Sequence, residues 1–256
     1  MRRIKFVSYF IVLPLMLTLL SGCEGRAEEV ELHVSAAASL QEVATELADL
    51  FMAEQPQVMI RLNFAGSNQL RQQIMEGFPV DVFLSAHLDP VQALTELGMV
   101  NQSERFAESP VVLVTATPEI ASIYDLANDE LTLIFAGYEV PIGIYTDIIL
   151  HLVDRDDPGF REAVLGNVVS RASNVRQALL YVMLNESDAT FVYATDLSEE
   201  TLSEVTVIAL PPHYQVVGTF YLALINQENQ LDIAYEFYRF ILSDTGQEVL
   251  ADHGFR

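Results

Sequence analysis

The stretch VSAAASLQEVATELADLF, residues 34–51, changes its hydrophobic period at one position, Ser39. Before it, Leu32, His33 and Val34 form a short β-prone run that leads into the alanines Ala36, Ala37 and Ala38. After it, Leu40, Val43, Ala44, Leu47, Leu50 and Phe51 recur at helical spacing. Ser39 therefore reads as a helix N-cap. Glu42, three residues on, completes a capping box in which the serine oxygen accepts from a first-turn N–H. A hydroxyl used as an acceptor still has its proton to donate. A strand, a small-residue turn and a helix start bring unpaired N–H groups and the positive end of a helix dipole to one place, which is the chemistry of an oxyanion site. The same pattern also fits an ordinary strand-to-helix turn of an α/β domain.

Similar units follow. Val58 to Phe64 reads as a strand, Ala65 to Asn68 as a turn, and Gln69 to Glu76 as a helix ending at Gly77, so that Ser67 repeats the situation of Ser39. Val80 to Leu84 has buried-strand character, and Asp89-Pro90 opens a helix with a capping acid and an N1 proline. Such βα units predict a mainly parallel sheet with helices on both faces. Around Phe106 to Pro110 the helical pattern stops, and Val111 to Thr115 begins a strand-rich second part. There Leu131 to Phe135, Thr190 to Tyr193, Val205 to Leu210 and Val216 to Ile225 are expected as strands, the last long enough to return to the first part. Gly143 to Val153 is expected as a helix, and Asn174 as the cap of a helix over Val175 to Leu184. Two closing helices span Asp232 to Leu242 and Thr245 to Asp252.

Residues 1–22 read as a processing signal: Arg2, Arg3 and Lys5 precede an apolar run, Phe6 to Leu20, that is short for a membrane span. Leu20-Ser21-Gly22-Cys23 resembles the bacterial lipoprotein cleavage box, with Cys23, the only cysteine, as the lipidated residue. Residues 23–30 then form an anchor and linker. Loss of the three basic residues turns 13 basic residues into 10 and the net charge from −23 into −26, with no lysine left. That balance excludes nucleic-acid binding through a basic face. His33, His87, His151, His213 and His253 have no short metal-ligand spacing, so no metal site and no cofactor are expected.

Seven segments carry a resemblance: VSAAASL (34–40), NFAGSNQLRQQI (63–74), PVDVFLSA (79–86), VPIGIY (140–145), SNVRQAL (173–179), FVYATD (191–196) and DTGQEVLADHGF (244–255). In that order they resemble the substrate-binding protein of a bacterial molybdate ABC transporter, a type 2 periplasmic binding protein. The resemblance implies a two-lobed α/β fold, each lobe a mainly parallel sheet flanked by helices, joined by crossover strands. The lobes would comprise residues 31–108 with 218–256, and 109–217. It further implies an extracytoplasmic, lipid-anchored monomer that holds molybdate or tungstate for a membrane permease. The ligand donors carried over are the hydroxyl and N–H of Ser39 and Ser67, the N–H groups of Ile142 and Val175, and the phenol of Tyr193. Ile142 stands where the family usually has alanine, which would narrow the pocket. Asn68 and Asn174 also depart from the usual residues.

Plainer roles exist for the same residues: Ser67 as a cap, Tyr193 as a core tyrosine with a satisfied hydroxyl, Val175 as packing, Arg71 and Arg176 as solvated helix-face arginines. Sulfate is the nearer alternative ligand. A serine hydrolase built on Ser39 is the alternative of a different class, although no G-x-S-x-G elbow surrounds that serine.

Overall fold

The computed structural model describes residues 30–227 and 232–256. The leader expected at 1–22, Cys23 and nearly all of the linker lie outside the described residues. The first lobe begins with β1 (Val30–Ala37), α1 (Gln41–Glu54), β2 (Val58–Ala65), α2 (Ser67–Met75), β3 (Val82–Ser85) and α3 (Leu88–Glu96). A 16-residue strand, β4 (Val100–Thr115), leads to the second lobe. That lobe holds β5 (Leu133–Ala136), α4 (Pro141–Asp156), α5 (Phe160–Gly166), β6 (Val168–Ala172), α6 (Val175–Met183), β7 (Ala189–Tyr193), α7 (Glu199–Glu204) and β8 (Thr206–Ile208). Then β9 (Val217–Ile225) returns, and α8 (Asp232–Ile241) and α9 (Asp244–Asp252) close the first lobe.

The sheet order is β2-β1-β3-β9-β4-β7, with β8 also on β4, and β5 pairs with β6. The β1–β2, β1–β3 and β5–β6 pairs are parallel. Each antiparallel pair among the described residues includes β4 or β9, the two strands that cross between lobes. The two-lobed α/β architecture is therefore as expected. Strand β4 pairs with β9 as far as Pro110, then with β7 and β8 from Val111 onward. Proline has no N–H for the ladder, so a change of partner at that residue costs little.

Core packing explains the α1 register. Val43, Ala44, Leu47, Ala48 and Phe51 are buried on one face, and the Phe51 ring lies 5.1 Å from Phe237 and 5.4 Å from Phe240. These contacts bind the start of the chain to its end, and burying such a ring stabilises by roughly 1.5–3 kcal/mol. Leu50, expected on that face, is instead exposed.

Three local expectations change. Ser39 does not cap α1: residues Ala38–Leu40 form a 3₁₀ turn, α1 starts at Gln41, and neither start has a side-chain cap. The inserted turn carries the serine away from the α1 N-terminus, and Glu42 pairs with Arg176 instead of reaching back. Asp89 is not the cap of α3, because His87 Nδ1 accepts from the Asp89 N–H at 3.2 Å. Residues 100–110 are strand as well, although no side chain from Val100 to Arg105 is buried, which hides the pattern there.

Candidate functional site

Three helices and the 3₁₀ turn begin around one small cavity, with about 10 Å³ open to the centre of a water-sized sphere. Its lining includes Ala38 and Ser39 from the turn, Gly66 and Ser67 at α2, Pro141 and Ile142 at α4, Asn174 and Val175 at α6, and Tyr193 at the end of β7. All five residues expected as donors, Ser39, Ser67, Ile142, Val175 and Tyr193, are thus brought together, two from one lobe and three from the other. No charged side chain lines the cavity.

The local sequences explain the convergence. Gly66 and Val140 occupy the N-cap positions of α2 and α4 and offer no side-chain acceptor, so first-turn N–H groups stay unpaired by caps. Pro141 fits the first position of α4, where no N–H is required. At α6, Asn174 caps as expected, but its oxygen accepts from Gln177 N–H at 3.0 Å, two positions beyond Val175. Helix starts of this kind carry partial positive charge without any side-chain cation.

The hydroxyls differ in a way that matters. Ser67 Oγ accepts from Ala86 N–H at 3.0 Å, which leaves its proton to donate. Ser39 Oγ and Tyr193 Oη are buried with no hydrogen-bond partner. A core tyrosine would have its hydroxyl satisfied, and burying an unmatched hydroxyl costs about 1–3 kcal/mol. Burial, then the neighbouring Tyr145 and Asp196, push the Tyr193 phenol well above its usual range, so it stays protonated and able to donate.

Behind the cavity, Tyr193 N–H donates to Asp196 Oδ2 at 2.9 Å, while Asp196 Oδ1 is unpartnered. Burial raises the Asp196 carboxyl to about 7, against the lowering effects of the Tyr193 N–H and of Arg176. Arg176 is not a solvated helix-face arginine: it reaches the first lobe at Ala38 and Glu42. Arg71 bonds Asn68 Oδ1 at 3.2 Å on its own helix. Sequence reasoning missed Ala86, Asp196 and the Arg176 contacts, each of which depends on a partner distant in sequence or on burial.

Among the described residues no group of three or more His, Cys, Asp or Glu side chains could hold a metal ion. No described helix is long and apolar enough to cross a membrane.

Two lobes around a shared cleft of uncharged donors define a solute-binding protein. The chain belongs to the bacterial extracellular solute-binding protein family, whose model matches residues 32–256. The resemblance read from the sequence is borne out by its relatives. The molybdate-binding protein ModA of Mycobacterium tuberculosis H37Rv is 29% identical over 226 residues, covering 87% of this chain and 83% of that one. A putative ABC transporter substrate-binding lipoprotein of Bacillus subtilis 168, YvgL, is 27% identical over 263 residues and 98% of both chains. Among solved structures, the substrate-binding domain of a putative molybdenum ABC transporter from Clostridium difficile has a TM-score of 0.64 and 26% identity, over 89% of this chain and 98% of that one. The sulfate-binding protein SubI of Mycobacterium tuberculosis shares the fold, with a TM-score of 0.77 and 17% identity over 89% and 86% of the two chains.

Proposed function

We propose that this protein captures molybdate, and tungstate with it, between its lobes and delivers it to the permease of an ABC transporter. The lobes run over 31–108 with 218–256, and over 109–217. Ser39 and Ser67 donate through hydroxyl and N–H, Ile142 and Val175 through N–H, and Tyr193 through its phenol. A lipid on Cys23 tethers the monomer outside the cytoplasmic membrane, as the lipoprotein named among its relatives also suggests.

One observation carries this reading: two buried hydroxyls, Ser39 Oγ and Tyr193 Oη, without partners, line one uncharged cavity among helix starts. A desolvated dianion needs several fixed donors, and each hydrogen bond to it contributes about 1.5–3 kcal/mol. Protonated phosphate would require an acceptor, and no carboxylate lines the cavity. The hydrolase alternative lacks its base, since no histidine lines the cavity beside Ser39.

Titration calorimetry of the full-length chain in detergent, with molybdate, tungstate, sulfate and phosphate, tests the assignment. Tight binding of the first two and weak binding of the others is expected; sulfate bound as well as molybdate would reassign the ligand. Membrane release of a Cys23→Ala chain tests the tether.

A further inference from the structure

The residues beside the proposed ligand donors bond across the cleft. Arg176 follows Val175 and Ala38 precedes Ser39, and Arg176 Nε donates to the Ala38 carbonyl at 2.5 Å. The two terminal nitrogens of the same guanidinium engage the two carboxylate oxygens of Glu42, one of them at 2.6 Å. On the other side of the cavity, Asn68, next to Ser67, donates its amide to the Glu139 carbonyl, and the Arg71 bond to Asn68 Oδ1 fixes that amide's orientation.

We propose that Arg176 and Glu42 are positioning residues that clasp the lobes together and so set how long the bound anion is held. The part concerning the anion rests on the function proposed above; the clasp itself rests on the cross-lobe contacts. An exposed ion pair is ordinarily worth little, but this one is a planar fork backed by a backbone bond and half buried on the arginine side. The contacts join opposite lobes, so they exist only when the cleft is shut, and opening must break them before release. Their loss therefore acts on the dissociation rate rather than on association.

The experiment compares full-length wild type with Glu42→Gln and Arg176→Lys, the second of which keeps the charge but loses the fork. Without any ligand, hydrogen exchange of segments 37–42 and 174–178 should rise severalfold in both variants. A rise at 174–178 in Glu42→Gln cannot come from fraying of α1, because that segment is in the other lobe. With molybdate, stopped-flow dissociation should quicken about tenfold and association change less than about twofold. Unchanged exchange across the cleft in both variants overturns the clasp whatever the chain binds. A wild type that binds none of the oxyanions overturns the proposed function instead, and the exchange comparison still decides the clasp. Loss in the association rate with dissociation unchanged would also overturn it.

Discussion

Gly218 lies against the ring of Tyr193: a Cβ added to the glycine would come 2.4 Å from Tyr193 Cε1 and 2.9 Å from Cδ1. The ring is fixed on its other sides, with Phe220 at 5.0 Å and Tyr145 at 6.2 Å between centroids. A crossover strand therefore sets the position of the phenol. Gly218→Ala should push the ring from its place, weaken molybdate binding at least tenfold and cost about 1–3 kcal/mol of stability. Calorimetry paired with urea denaturation checks both. Wild-type affinity in this variant would mean that the phenol position is unimportant to binding.

Ser39 and Ser67 should separate binding from stability. Ser39 Oγ is buried and unpartnered, whereas Ser67 Oγ satisfies the Ala86 N–H. Ser39→Ala removes an unmatched polar atom and should leave the ligand-free chain as stable or about 1 kcal/mol more stable. Ser67→Ala orphans a buried N–H and should cost about 1–3 kcal/mol. Both should weaken molybdate binding by about ten- to a hundredfold. Denaturant titrations without ligand, set beside calorimetry with it, distinguish the two. Equal stability losses would contradict the difference between the two hydroxyls.

These contrasts also mark what a linear chain can reveal. Helices α2 and α4 were expected two residues late, at Gln69 and Gly143, because their caps, Gly66 and Val140, carry no capping side chain, whereas the start of α6 at Val175 was legible because an Asn174 cap and an apolar period are local signals. The capping box at Ser39 was misleading for the same reason: S-x-x-E spacing matches, yet Glu42 has a partner 134 residues away that no local pattern predicts. Residues 100–105 and most of β6 were missed because none of Val100–Arg105, and only Ala172 of β6, is buried, so neither shows an apolar face. That Tyr193 Oη lacks a partner depends on which groups surround it in space, so only the folded chain distinguishes a donor from an ordinary core tyrosine.

The net charge of −23 should oppose the approach of an anion even though the cavity lining is uncharged. Exposed charges act over about a Debye length, which shortens as salt is added. Association of molybdate should therefore quicken, by roughly two- to fivefold, between about 20 and about 200 mM sodium chloride. Stopped-flow mixing measures it. A rate that falls with salt would indicate a locally positive entry path.

Asp196 should make the protein less stable as pH rises. Burial holds its folded carboxyl at about 7, while an unfolded aspartate titrates near 3.9. Below the lower value both states are protonated and nothing is lost. Between the two values the unfolded chain releases a proton that the folded chain keeps, so unfolding becomes progressively favoured; above about 7 the loss levels off. Asp196→Asn keeps an acceptor for the Tyr193 N–H, which now meets Oδ2 at 2.9 Å, but cannot ionise. Relative to that variant, wild-type unfolding free energy should drop by roughly 3 kcal/mol from about pH 5 to about pH 8. The same ionisation places a negative charge behind Tyr193, so wild-type affinity for molybdate should decline above neutrality and that of Asp196→Asn should not. Urea titrations and calorimetry across the pH range test both halves, and parallel profiles for the two proteins would show that the carboxyl is already ionised in the folded chain at pH 5.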